Sequence, residues 1–123
     1  MAKILIVDDD KQITDLVSKI LLVEGHEPTS LNDSTKTMEL AGSLTPDLFV
    51  LDLMMPEPNG FELCRYLRAN TSFTNTPIVI ITAMDDSDSK AIAYVAGAND
   101  YITKPFNPSD LAQRVKILLD KKK

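Results

Sequence analysis

Residues 3–10 read Lys3-Ile4-Leu5-Ile6-Val7-Asp8-Asp9-Asp10, a short apolar run that ends abruptly in three carboxylates. A run this short, bounded by acids, predicts a strand buried on both faces. Behind it the period changes. Ile13, Leu16, Val17, Ile20 and Leu21 recur at helical spacing, Asp10 stands where a helix is capped, and Gly25 ends the helix in a left-handed turn. The same unit repeats along the chain. His26–Leu31 is a weaker second strand, and Ser34–Leu44 a second helix, capped by Asp33 or Ser34, with Thr37, Met38, Ala41 and Leu44 facing in. Pro46 stops that helix and Asp47–Leu51 forms the third strand. Pro56, Pro58 and Gly60 break the chain before a third helix marked by Phe61, Cys64 and Leu67, ending near Asn70. Pro77 introduces strand Ile78–Ile81. Ser87–Ala96 is a fourth helix closed by Gly97, Asp100–Ile102 a short fifth strand, and Leu111, Val115 and Leu118 carry the last helix. Five strands alternating with five helices predict an α/β fold, doubly wound, with a parallel sheet covered on both faces.

The 123 residues suit one domain spanning 1–123, with no linker or internal repeat. Hydrophobic residues at 44% and charged residues at 25% are ordinary for a soluble protein. No apolar run is long enough to cross a membrane, and no leader is expected, because the first apolar run meets Asp8–Asp10 at once. The single cysteine, Cys64, excludes an intramolecular disulfide and fits a cytoplasmic protein. A net charge of −5 argues against direct nucleic-acid binding, and the basic run Lys121–Lys123 reads as a solvated helix end.

In an open parallel sheet, ligands bind beyond the carboxyl ends of the strands. Asp8, Asp9 and Asp10 stand there after strand one, Asp52 after strand three, Thr82 after strand four, and Thr103, Lys104 and Pro105 after strand five. Helix capping accounts for Asp10 and tolerably for Asp9. It does not account for Asp52, which ends an apolar strand and precedes Leu53, Met54 and Met55. Crowded carboxylates need a counter-charge. Lys104 supplies one unit, and an all-oxygen set suits a hard divalent ion such as Mg²⁺ or Mn²⁺. His26 is placed at the opposite end of the sheet, as a surface residue. The acidic first loop would repel a flavin phosphate; no phosphate-binding Gly-rich loop, nucleophile elbow or zinc set is present. An aspartate-nucleophile phosphatase acting on an outside substrate lacks its second acid, since Leu53 and Met54 follow Asp52.

Taken in order, Ile-Leu-Ile-Val-Asp8-Asp9-Asp10, Leu-Asp52-Leu-Met-Met-Pro56, Gly60, Ile-Ile-Thr82-Ala83 and Ala-Gly97-Ala-Asn-Asp-Tyr101-Ile-Thr-Lys104-Pro105-Phe106 resemble the receiver domain of two-component response regulators over the whole chain. The resemblance implies a flavodoxin-like strand order of 2-1-3-4-5. It implies that Asp52 takes a phosphoryl group from a phosphohistidine on a sensor histidine kinase or phosphotransfer protein. Asp9, Asp52 and the backbone carbonyl of Met54 would bind Mg²⁺, with Asp8 helping through a water. Lys104 would pair with Asp52 before transfer and with a phosphoryl oxygen after it, across a cis Lys104–Pro105 bond. Small Ala83 would leave the approach open. Thr82 would then bond a phosphoryl oxygen and Tyr101 turn inward, handing the signal to a downstream effector or output domain. The alternative is a receiver-like module that binds partners without phosphorylation; intact Asp9, Asp52, Thr82 and Lys104 weigh against it.

Two departures matter. The family often has Met-Asp-Gly where Pro58-Asn59-Gly60 stands; Asn59 caps a helix as well as Asp does, while Pro58 stiffens the loop. Met54 and Met84 flank the expected phosphoryl position, and neither orients a water as an amide or carboxylate would, so slow self-dephosphorylation is expected. Lys90, Asp100, Asp110 and Arg114 resemble charges through which some receivers form phosphorylation-dependent homodimers, using the last strand and last two helices.

Overall fold

The computed structural model describes residues 1–122; Lys123, and with it part of the basic run Lys121–Lys123, lies outside the described residues. Five strands, β1 (Lys3–Val7), β2 (Glu27–Leu31), β3 (Leu48–Leu51), β4 (Ile78–Thr82) and β5 (Asp100–Thr103), form one sheet. Its order is β2-β1-β3-β4-β5, and every neighbouring pair is parallel. Between and after them run α1 (Lys11–Val23), α2 (Thr37–Leu44), α3 (Gly60–Ala69), α4 (Ser87–Ala96) and α5 (Pro108–Lys122). Among the described residues no helix is long and apolar enough to cross a membrane.

The sheet separates two apolar cores. Leu5, Val7, Phe49, Leu51, Ile78 and Ile80 face α2, α3 and α4, while Ile4, Ile6, Leu48, Val50, Val79 and Ile81 face α1 and α5. Alternate residues of the central strands thus serve opposite cores, which is why β1, β3 and β4 read as unbroken apolar runs. Phe49 meets Phe73 edge to face, with centroids 5.3 Å apart.

Helix ends follow the polar punctuation. Asp10 accepts from the Gln12 N–H at 2.9 Å, and Asn59 and Glu62 form a reciprocal capping box. Gly25 and Gly97 have positive φ, 89° and 121°.

Three readings change. The second helix divides: Asp33 caps a short 3₁₀ turn over Ser34–Lys36, and the α-helix proper begins at Thr37. In α1 the inward position falls to Thr14, and Leu16 is exposed, because Thr14 can satisfy its hydroxyl by donating to the Lys11 carbonyl and accepting from Asn32. His26 does sit at the far end of the sheet. It is half-buried rather than on the surface, with Nδ1 covered beside a cavity lined by Ala2, Asp47, Lys116 and Leu119.

Gly60 opens α3 against the backbone of the β3 exit. A Cβ there would lie 2.3 Å from the Asp52 carbonyl oxygen and 2.8 Å from Leu53 Cα. Gly60→Ala is therefore expected to lower stability by about 1–3 kcal/mol, read as the shift in urea unfolding midpoint. An unchanged midpoint would mean that α3 slides freely along β3.

Candidate functional site

Register builds the site. Val7 pairs with Leu51 on one side and Leu31 on the other, so the next residues out of β1 and β3, Asp8 and Asp52, emerge side by side. Backbone bonds continue the ladder past the strand ends: the Asp8 N–H donates to the Leu31 carbonyl and the Asp52 N–H to the Val7 carbonyl, each at 3.1 Å. One strand further, Thr82 pairs with Thr103, which places Lys104 immediately beyond the sheet. The Lys104 N–H donates to the Thr82 carbonyl at 2.7 Å, and the Lys104–Pro105 peptide is cis; Glu57–Pro58 is cis as well.

The carboxylates converge as the spacing implied. Asp8, Asp9 and Asp52 each offer an oxygen, and these oxygens lie within 4.8 Å of one another. Asp8 and Asp52 are 3% and 5% exposed; Asp9 is open to solvent. Lys104 Nζ lies 2.9 Å from Asp8 Oδ2 and 3.0 Å from Asp52 Oδ2, bridging the two buried acids. The Lys104–Asp52 pair was expected; the Asp8 pair was missed, because nothing local to either residue signals a contact across the sheet. The other Asp52 oxygen accepts from the Met54 N–H at 3.1 Å.

Charge is unbalanced here. Three carboxylates share one ammonium, and two like charges this close repel by about 3 kcal/mol at an effective dielectric near 20. Burial pushes the Asp8 carboxyl up to about 6; the Asp52 charge adds to this, and the Asp10 N–H and Lys104 oppose it. Burial pulls the Lys104 ammonium down, but its bonds to Asp8 and Asp52 outweigh burial and leave it above its ordinary value. The all-oxygen donors and the two-unit charge deficit fit a hard divalent cation held by this cluster.

The residues expected to respond are close by. Thr82 is fully buried, and its hydroxyl oxygen accepts a long bond, 3.4 Å, from the Met84 N–H. Tyr101 is already turned inward: its hydroxyl donates to the Met84 carbonyl at 2.7 Å, and Lys90 Nζ lies 5.9 Å from its ring centroid. Met54, whose N–H bonds Asp52, and Ala83, which follows β4, are exposed, and Met84 is half-buried.

Sequence reading also missed Asn32. Its amide donates to the Asp8 carbonyl at 2.8 Å and to Thr14 Oγ1 at 3.1 Å, bracing the acidic loop from the β2 side. An Asn after a weak strand reads as a turn residue, so only the strand order reveals this contact.

Comparison with known proteins agrees with this geometry. The family model described as the response regulator receiver domain matches residues 4–116. The chain is 40% identical over 119 residues to the DNA-binding dual master transcriptional regulator RpaA of Synechocystis, covering 97% of this chain and 49% of that protein. It is 39% identical over 117 residues to the DNA-binding response regulator MtrA of Mycobacterium tuberculosis, covering 95% of this chain and 50% of that one. The chain thus spans about half the length of the curated relatives it matches. The structure of the Francisella response regulator 1452 receiver domain is 33% identical, covers all of both chains and superposes with a TM-score of 0.92. Fold, match and site agree, and the chain belongs to the response regulator receiver domain family of two-component systems.

Proposed function

We propose that residues 1–123 act as one phosphoryl-accepting switch with Asp52 as its acceptor. The observation that carries the reading is the buried Asp52 carboxylate beside Asp8 and Asp9, bridged to Asp8 by Lys104. One Asp52 oxygen attacks the phosphorus of a phosphohistidine on a sensor kinase or phosphotransfer protein. A P–O bond forms, the P–N bond breaks, and the electron pair stays on the imidazole nitrogen, which is left able to take up a proton. The product is an acyl phosphate. A Mg²⁺ or Mn²⁺ ion held by Asp9, Asp52 and the Met54 carbonyl, and by Asp8 through a water, supplies charge neutralisation for the phosphoryl oxygens when bound. Lys104 leaves the Asp52 carboxylate and meets a phosphoryl oxygen, and exposed Ala83 leaves the approach clear.

Phosphorylation adds about −1.5 to −2 charge and three acceptors. The Thr82 hydroxyl donates to one of them and favours the inward Tyr101 position, already bonded to the Met84 carbonyl, that holds the β4–α4 loop for an effector or output domain. The named relatives are DNA-binding regulators, so a DNA-binding output is the form this control takes if the chain belongs to a similar longer protein. In the single chain Arg114 is held by Asp100 and Asp110, and Lys90 by Asp85. A homodimer through this face has to exchange those pairs between copies.

Intact mass tests the acceptor. Incubation with Mg²⁺ and acetyl phosphate should add one phosphoryl mass to wild type and none to Asp52→Ala or to protein with EDTA; equal gain in Asp52→Ala would reject the reading. Asp8 gives the pH dependence. Its raised carboxyl binds a proton more tightly folded than unfolded, so this group's contribution to stability falls as pH rises from the ordinary carboxylate range through about 6. Asp8→Asn should stabilise the cation-free fold by about 1–3 kcal/mol and weaken its stabilisation by Mg²⁺; thermal melts with and without Mg²⁺ read both, and the opposite signs would refute the assignment. Met54→Asn should shorten the lifetime of the phosphorylated chain, followed by loss of the added mass; an unchanged lifetime would reduce Met54 to a space-filler.

A further inference from the structure

Helices α3 and α4 leave a groove of about 390 Å³ between them, away from the carboxylate cluster. Its walls are Arg65 and Arg68 on α3 and Ala91, Ile92, Val95 and Ala96 on α4. Helix α4 buries only Ser89 and Ala93, so its larger aliphatic side chains face outward: Ile92 is half exposed and Val95 is 88% exposed. The small alanines keep the groove open. Contiguous apolar surface of this kind marks an interaction site more often than scattered apolar residues do.

The two charged side chains that line the groove, Arg65 and Arg68, are both cationic. Among the described residues neither Arg65 nor Arg68 forms an ion pair. Every hydrogen bond of Arg68 goes to an uncharged oxygen: Nε and Nη2 to the Gly97 carbonyl at 3.0 and 2.8 Å, Nη1 to the Phe73 and Thr76 carbonyls at 2.8 and 2.6 Å, and Nη2 to Asn99 Oδ1 at 2.7 Å. These dipoles lock the side chain as a rigid wall but cancel none of its unit charge. A Cβ on Gly97 would lie 2.5 Å from Arg68 Cγ, so the glycine is what admits the stem. The result is a preformed apolar groove flanked by two uncompensated cations, in a chain of net charge −5.

We propose that this groove docks an acidic amphipathic helix of a partner protein, with apolar side chains one turn apart against Ile92 and Val95 and carboxylates facing Arg65 and Arg68. A second copy of this chain fits less well, because a two-fold contact centred on the groove brings the arginines of both copies together. Docking does not require a phosphoryl group on Asp52.

Two synthetic amphipathic peptides with identical leucine spacing, one flanked by Glu and one by Lys, test this by NMR titration into wild type and Asp52→Ala. Net charge alone favours the Lys peptide, so the expected preference runs against it. The Glu peptide should shift the amide signals of Arg65, Ile92 and Val95 in both proteins. Arg65→Glu and Val95→Glu should each weaken it by about tenfold, roughly one lost ion pair or buried aliphatic contact, without moving the thermal midpoint; Val95→Ser should weaken it less. Equal or tighter binding of the Lys peptide, shifts confined to other surfaces, or no shifts at millimolar peptide would overturn the proposal. Concentration-dependent broadening of the groove signals in protein alone would assign the groove to a second copy and overturn it as well. Because Asp52→Ala is tested in parallel, failure here is separate from failure of the phosphoacceptor reading.

Discussion

Repulsion between Asp8, Asp9 and Asp52 is the constraint around which the rest of this molecule is arranged. Three carboxylates with oxygens within 4.8 Å would drive the ends of β1 and β3 apart if nothing opposed them. Two things do. The strands are clamped from both faces by apolar cores, so Asp8 and Asp52 cannot retreat into water without moving Val7 and Leu51, both fully buried. And Lys104 reaches from beyond β5 to bridge the two buried acids. One ammonium leaves the cluster two charges short of neutral. That deficit fits a divalent cation, which under the proposed function would neutralise phosphoryl oxygens beside the Asp52 carboxylate.

The same cluster is wired to its surroundings by short contacts. Lys104 divides its hydrogen bonds between Asp8 and Asp52, so any charge added to Asp52 redistributes them. Thr82 and Lys104 are joined through the bond from the Lys104 N–H to the Thr82 carbonyl, and Met84 links the Thr82 hydroxyl to Tyr101. A few short contacts therefore connect the carboxylate cluster to the β4–α4 loop. The Tyr101 ring lies inward in this structure, held by its bond to the Met84 carbonyl; under the proposed function, phosphorylation would act on the population of that position.

Much of this was legible in the sequence, and the reason is local. Apolar runs that stop at acids, such as Ile4–Val7 before Asp8 and Leu48–Leu51 before Asp52, give both the strand and the end that carries chemistry. What escaped depends on packing between elements distant in sequence. Thr14, not Leu16, takes the inward position of α1, where its hydroxyl meets both the Lys11 carbonyl and the Asn32 amide. His26 reads as a surface residue, and it is half-buried because Ala2 at the chain start and Lys116 and Leu119 on α5 line the cavity beside it. Arg68, in the last turn of α3, carries no motif of its own in the sequence; it is a half-buried clamp because Gly97 leaves space for its stem. No periodicity in α3 or α4 announces the groove between them.

Chemical trapping of the modified residue tests the central claim most directly. Borohydride reduces an acyl phosphate to an alcohol, converting a phosphorylated aspartate to homoserine, and peptide mapping then locates it. After phosphorylation in Mg²⁺, homoserine is expected at position 52 and nowhere else. Homoserine at position 8 or 9, or an added phosphoryl that survives borohydride on a hydroxyl such as Thr82, would contradict the assignment of Asp52 as the acceptor.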